Sequence, residues 1–255
     1  MGKKAVLLIT RKLSQNSEAR AAEGYDVRLN PDDRLYSHDE LLAKCHGVDA
    51  IIPCHTELFT ADLVSKLPDR VKIIANHSVG VDHCDLDALQ ARGVVVTNTP
   101  EVLSDATAEI AMLLLLGAAR RASEGDQMVR TAKWGHWSPS FMVGTQVSGK
   151  KIGIVGMGRV GQVMAKRARG FDMEVHYNNR TRLPANLEAR AIYHEDVDSL
   201  LKESDFLSLH CPATPETNGF LSAEKIELLP DGAIVVNTAR GALIDENALI
   251  AALRS

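Results

Sequence analysis

Lys151-Ile152-Gly153-Ile154-Val155 reads as a buried β-strand, and the next six residues, Gly156-Met157-Gly158-Arg159-Val160-Gly161, place three glycines at the spacing G-x-G-x-x-G. A helical pattern from Gln162 to Arg169 follows at once. Strand, glycine turn and helix in that order open a βαβ unit, which restricts this part of the chain to a parallel sheet with helices on its faces. Gly156 permits the tight turn, Gly158 lets the backbone approach a bound pyrophosphate, and Gly161 allows the helix to lie close on the strand. Free N–H groups and the positive end of the helix dipole then attract phosphate. The competing reading is a tight βα turn with no ligand; the strand before it and the helix after it favour a dinucleotide site.

The rest of the chain repeats this alternation. Candidate strands precede the turn at Ala5–Thr10, Tyr25–Leu29, Ala50–Pro53, Lys72–Asn76 and Val94–Thr97, with helical spacing at Asp39–His46 and Thr60–Leu67 between them. A boundary falls at Asn98-Thr99-Pro100. Beyond it, one long helix is expected from Glu101 to about Glu124, with an apolar face of Ile110, Leu113 and Leu114, and then a loop from Trp134 to Gly149 that carries both tryptophans. After the glycine strand come Glu174–Tyr177, Phe206–His210 and Ala233–Asn237, and a last helix at Glu246–Leu253. The expected fold is α/β, with two doubly wound parallel-sheet domains at residues 1–99 and 100–255.

Composition narrows the function. With 255 residues the chain suits two compact units, and 45% hydrophobic with 24% charged residues is the balance of an ordinary soluble protein. A net charge of -4 and scattered Lys and Arg argue against nucleic-acid or membrane-surface partners. Cys45, Cys54, Cys84 and Cys211 form no C-x-x-C metal or redox pattern, so no metal is expected and a reducing cytoplasmic location is. The apolar run Ile110–Ala119 falls short of the ~20 residues a spanning helix needs.

The end of the strand after the glycine turn bears on which nucleotide is bound. An NAD site usually carries a carboxylate there, to hydrogen-bond the ribose hydroxyls. Here Val175-His176-Tyr177 leads into Asn178-Asn179-Arg180-Thr181-Arg182, with no carboxylate to repel a 2′-phosphate and with two guanidiniums and a hydroxyl to receive one. NADP is therefore expected, in contact with Asn179, Arg180 and Thr181, with NAD possible. A solvated basic turn is the alternative.

Several further segments carry a family resemblance: Asn76-His77-Ser78-Val79-Gly80-Val81-Asp82-His83, Val96-Thr97-Asn98-Thr99-Pro100, Thr107-Ala108-Glu109, the glycine turn itself, Leu209-His210-Cys211-Pro212-Ala213-Thr214-Pro215-Glu216-Thr217, and Asn237-Thr238-Ala239-Arg240-Gly241. On these the chain resembles the D-isomer-specific 2-hydroxyacid dehydrogenases, in particular the glyoxylate/hydroxypyruvate reductase branch. The resemblance implies a flavodoxin-like first domain holding substrate and a Rossmann second domain holding cofactor, with reaction between them. It implies that the amides of Val79 and Gly80 bind the substrate carboxylate and that Arg240 bridges carboxylate and carbonyl, polarising the latter for hydride attack. Thr107, Cys211 and Thr238 would line the cofactor, beside Gly156, Gly158, Arg159, Val160 and Gly161. Trp134 and Trp137 match a paired-tryptophan loop, in which Trp137 would reach the neighbouring subunit's substrate site across a homodimer.

In this family the acid–base His and its orienting Glu lie C-terminal to the Arg-Gly segment. The expectation is thus a C-terminally incomplete chain that lacks both and is inactive alone. His77 and His83 lie near the carboxylate loop, where packing or a local hydrogen bond is the favoured role. Within the family, a phosphoglycerate or formate type is the alternative; outside enzymes, it is a nucleotide-sensing corepressor on the same scaffold. Methyltransferases share a glycine turn but have no use for Arg240 or the Val79-Gly80 loop.

Overall fold

The computed structural model describes residues 3–255. The chain divides into two compact units, one ending at Val102 and one starting at Leu103. In the first, strands β1 (Val6–Ile9), β2 (Asp26–Arg28), β3 (Ala50–Ile52), β4 (Ile73–Ala75) and β5 (Val95–Thr97) alternate with helices α1 (Gln15–Gly24), α2 (His38–Cys45), α3 (Ala61–Lys66) and α4 (Leu86–Ala91). The strands pair in parallel in the order β2-β1-β3-β4-β5, which is the flavodoxin-like winding. One face buries Leu8, Ile51 and Ile74 against Leu41, Leu63 and Leu89 from α2, α3 and α4. These helices start where the chain supplies an oxygen to an orphan amide: Ser37 completes a capping box with Glu40, and Thr60 and Asp85 cap the next two.

The second unit contains α5 (Ser104–Ala119), α6 (Ala122–Arg130), β6 (Lys151–Val155), α7 (Arg159–Gly170), β7 (Glu174–Asn178), α8 (Ala185–Glu188), β8 (Ile192–Tyr193), α9 (Val197–Lys202), β9 (Phe206–Leu209), α10 (Ala223–Ile226), β10 (Ile234–Asn237) and α11 (Glu246–Ala252). Its sheet runs β10-β9-β6-β7-β8, all parallel, so that the order reverses between β6 and β9 at the end of the glycine strand. That is the Rossmann winding, whose switch point is where such sheets bind ligands. Both expected domains therefore have the expected architecture. The short edge strand β8 went unread, because two residues carry no period.

The expected long helix from Glu101 to Glu124 is instead two helices, broken at Arg121, which sits in the left-handed region with φ 54°. The expected apolar face is also wrong. Ile110, Leu113 and Leu114 are 52%, 63% and 49% exposed, and the helix buries Ala108, Ala111, Met112, Leu115 and Ala119. The reason is steric. α5 packs along α7, whose inward positions include Gly161, Ala165 and Ala168, and alanines on both sides allow a close approach. Residues 110–119 of α5 are apolar all round the helix, so hydrophobicity alone cannot declare which side of that stretch is inner. Arg167 of α7 then ties the pair by hydrogen bonds to Asp105 and Glu109 of α5, each at 3.0 Å. Among the described residues no helix is long and apolar enough to cross a membrane.

Candidate active site

The glycine turn has three different reasons for its three glycines. Gly156 has φ +94°, and a Cβ there would lie 2.5 Å from the Cys211 amide nitrogen, so the turn closes onto the end of β9. A Cβ at Gly161 would lie 2.2 Å from the carbonyl oxygen of Gly156, which leaves no room for a side chain between α7 and the turn. At Gly158 a Cβ would meet nothing within 4 Å. Nothing in the chain itself requires glycine at 158, and an open backbone is what close approach of a ligand requires. Gly158 is also the N-cap of α7 and carries no side chain to cap it, as suits a twelve-residue helix whose first turn faces a phosphate. Arg159 and Val160 begin that helix, the former exposed and the latter packed on the core.

Around the turn the structure gathers other expected residues. The Gly156 amide donates to the Asn178 carbonyl at 3.0 Å, joining the turn to the end of β7. Cys211 is buried, and burial pushes its thiol above the usual range. Thr238, just past β10, has a buried hydroxyl oxygen with no hydrogen-bond partner among the described residues. Such a group has an uncompensated desolvation cost unless a ligand meets it. Thr107 lies half-buried in the first turn of α5. An uncapped helix, an open glycine and an orphaned hydroxyl all fit a dinucleotide.

At the end of β7, Asn179 Nδ2 donates to the Thr181 carbonyl at 3.0 Å, while Arg180 and Thr181 are exposed. Only one of the two guanidiniums read from the sequence remains available here. Arg182 Nε donates to Glu188 Oε1 at 2.8 Å, and the Tyr177 hydroxyl donates to the same oxygen at 2.6 Å. Arg182 is thus committed to holding a nearly buried carboxylate, a role that only the fold reveals.

In the first unit, residues 77–81 turn every carbonyl onto the protein. Thr99 Oγ1 donates to the His77 carbonyl (3.0 Å), the Thr99 amide to Ser78 (3.3 Å) and Asn98 Nδ2 to Val79 (2.7 Å). Ser78 Oγ donates to Gly80 (2.8 Å) and the Cys84 amide to Val81 (2.9 Å). The amides of Ser78, Val79 and Gly80 donate to no acceptor among the described residues. Successive amides left bare in this way form a concavity for an anion. His83 is buried and its Nε2 donates to Asn76 Oδ1 at 2.8 Å, bracing the loop at its base. His77 is exposed.

Arg240 follows β10 and is exposed, with Nη1 donating to the Ala239 carbonyl at 3.0 Å. Asn237 holds the Arg240 carbonyl through Nδ2 at 2.8 Å. Trp134 packs edge-on against Phe141, with ring centroids 5.1 Å apart, whereas Trp137 is 79% exposed.

The second unit is a dinucleotide-binding α/β fold, and the first carries an amide nest of the kind that receives a small anion. Comparison with known proteins names the class. The family described as D-isomer specific 2-hydroxyacid dehydrogenase, NAD binding domain, matches residues 112–255. The glycerate dehydrogenase of Hyphomicrobium methylovorum is 46% identical over 100% of this chain and 80% of its own length. The glyoxylate reductase of Thermococcus litoralis is 42% identical over 98% of this chain and 77% of its own. The crystal structure of a glyoxylate reductase from Paecilomyes thermophila superposes with a TM-score of 0.86 at 32% identity, covering 98% of this chain and 78% of that one. The chain belongs to the D-isomer-specific 2-hydroxyacid dehydrogenases. It is an oxidoreductase of 2-hydroxy acids with a domain for a nicotinamide cofactor.

Proposed function

We propose that the protein binds small 2-oxo acids of the glyoxylate and hydroxypyruvate type for reduction to D-2-hydroxy acids, with NADPH in preference to NADH as the hydride donor. The bare amides of Val79 and Gly80 carry this reading. They suit a carboxylate, and a loop that gives its own carbonyls to the protein offers that carboxylate only donors. On this reading Arg240 supplies the guanidinium that holds the substrate and polarises its carbonyl, lowering the cost of the negative charge that grows on oxygen. A bound nicotinamide supplies the hydride. The amides at the start of α7 hold the pyrophosphate, Thr107, Cys211 and Thr238 line the cofactor, and Thr238 gains the partner it lacks. Asn179, Arg180 and Thr181 receive the 2′-phosphate.

The partner subunit on this reading is a second copy of the chain, covering the apolar side of α5 and bringing Trp137 to the neighbouring substrate site. An exposed row of Ile110, Leu113 and Leu114 on one helix supports it. The test is a titration of the protein with NADPH and NADH, each with and without oxalate, followed by assays of NADPH oxidation with glyoxylate, hydroxypyruvate and larger 2-oxo acids. Tighter NADPH binding, strengthened by oxalate, is the expected result. Equal affinity for the two nucleotides would remove the phosphate preference, and indifference to oxalate would remove the carboxylate site.

A further inference from the structure

The carbonyls of residues 77–79 are held by two residues that the sequence marks as a domain boundary and as part of a family segment, with no role of their own. Asn98 and Thr99 lie directly after β5, the strand beside β4, and parallel strands bring their C-terminal loops to one end of the sheet. Between them they make three hydrogen bonds: Thr99 Oγ1 to His77 at 3.0 Å, the Thr99 amide to Ser78 at 3.3 Å and Asn98 Nδ2 to Val79 at 2.7 Å. Three successive carbonyls are therefore held by one dipeptide. A peptide plane carries its C=O and the next N–H on opposite edges. Fastening the carbonyls of Ser78 and Val79 inward therefore turns the amides of Val79 and Gly80 outward.

We infer that Asn98 and Thr99 are positioning residues for the substrate carboxylate, acting by clamping the 77–79 carbonyls so that the Val79 and Gly80 amides stay aimed at the anion. The inference rests on the reading of those amides as the carboxylate site. Neither side chain needs to touch substrate, since the Asn98 amide group and the Thr99 hydroxyl are spent on the loop. Without the clamp the peptide planes are free to rotate, and an anion then has to order them as it binds.

The test measures oxalate affinity by calorimetry, with NADPH saturating, for the wild type and for Thr99→Val, Thr99→Ser and Asn98→Ala. Thr99→Val keeps the shape and removes one donor; Thr99→Ser keeps the donor. Expected is oxalate binding about tenfold weaker in Thr99→Val and in Asn98→Ala, the effect of about one lost hydrogen bond, with Thr99→Ser close to wild type. NADPH affinity and the melting midpoint should be unchanged, which separates positioning from general damage. Amide exchange at residues 78–80 gives a second readout: oxalate should protect them in the wild type and less so in Thr99→Val. If the wild type binds oxalate and Thr99→Val and Asn98→Ala bind it equally well, the clamp is overturned while the carboxylate site stands. A wild type that binds NADPH but not oxalate overturns the carboxylate site, and the clamp with it.

Discussion

Gly161 and Gly156 approach so closely that a β-carbon on the first would stand 2.2 Å from the carbonyl oxygen of the second, while the glycine between them, Gly158, faces open space. The two kinds of glycine should respond differently to substitution. Gly161→Ala should destabilise the second unit by about 2 kcal/mol or more, because backbone has to move to relieve the overlap. Gly158→Ala should leave the melting midpoint near wild type and weaken nicotinamide nucleotide binding at least about tenfold, since a methyl would occupy the ligand's path. Thermal melts and nucleotide titrations of the two variants check both statements.

Arg180 and Arg182 should separate in the same manner. Arg182 neutralises Glu188, whose side chain is only 11% exposed and which also accepts from Tyr177. Arg182→Ala should lower stability by leaving that carboxylate without its cation. Arg180→Ala should keep the stability and lose the preference for NADPH over NADH. A denaturation curve and paired cofactor titrations distinguish the two outcomes.

Acid should weaken the fold through His210. Burial lowers its pKa from 6.5 to about 4, and its Nε2 lies 2.8 Å from Ser208 Oγ. Between these values the unfolded chain holds a proton that the folded chain does not, so stability falls as pH drops from 6.5 towards 4 and is fully present above that window. The contribution is on the order of 3 kcal/mol. His194 adds in the same direction, lowered first by burial and then by neighbouring His176. Melting of wild type and His210→Gln across this range should show a shallower decline in the variant.

The outward face of α5 offers a test of assembly. Leu113 is 63% exposed and contributes nothing to the core of its own unit. If the proposed homodimer forms through this face, Leu113→Glu should convert it to a monomer, read by light scattering. Retention of the dimer would place the subunit contact elsewhere.

Much of the architecture was legible because its signals are local. A βα turn needs its glycines at fixed offsets, a buried parallel strand needs a run of apolar residues, and a capped helix needs Ser, Thr or Asp at its start. The pattern therefore marks β6 to the residue and its two neighbours, β7 and β9, to within one, while β8 leaves no mark. The inner face of α5 was not legible. Ile110, Leu113 and Leu114 point outward while Ala108, Ala111, Met112, Leu115 and Ala119 point inward, a choice set by the closeness of α7.

The candidate site divides along the same line. The amino-acid sequence by itself determined the class of cofactor and the glycine turn, since that is a short motif whose chemistry is carried by neighbours in the chain, while the loop at Val79 and Gly80 was marked only by the family resemblance. Only the tertiary structure decided that Arg182 belongs to Glu188, that Gly158 alone of the three glycines faces open space, and that Asn98 and Thr99 hold the carbonyls behind Val79. These are relations between residues up to 22 positions apart, made when parallel strands set their loops side by side. Hydrogen-bond partners of that kind leave no period or spacing in a sequence.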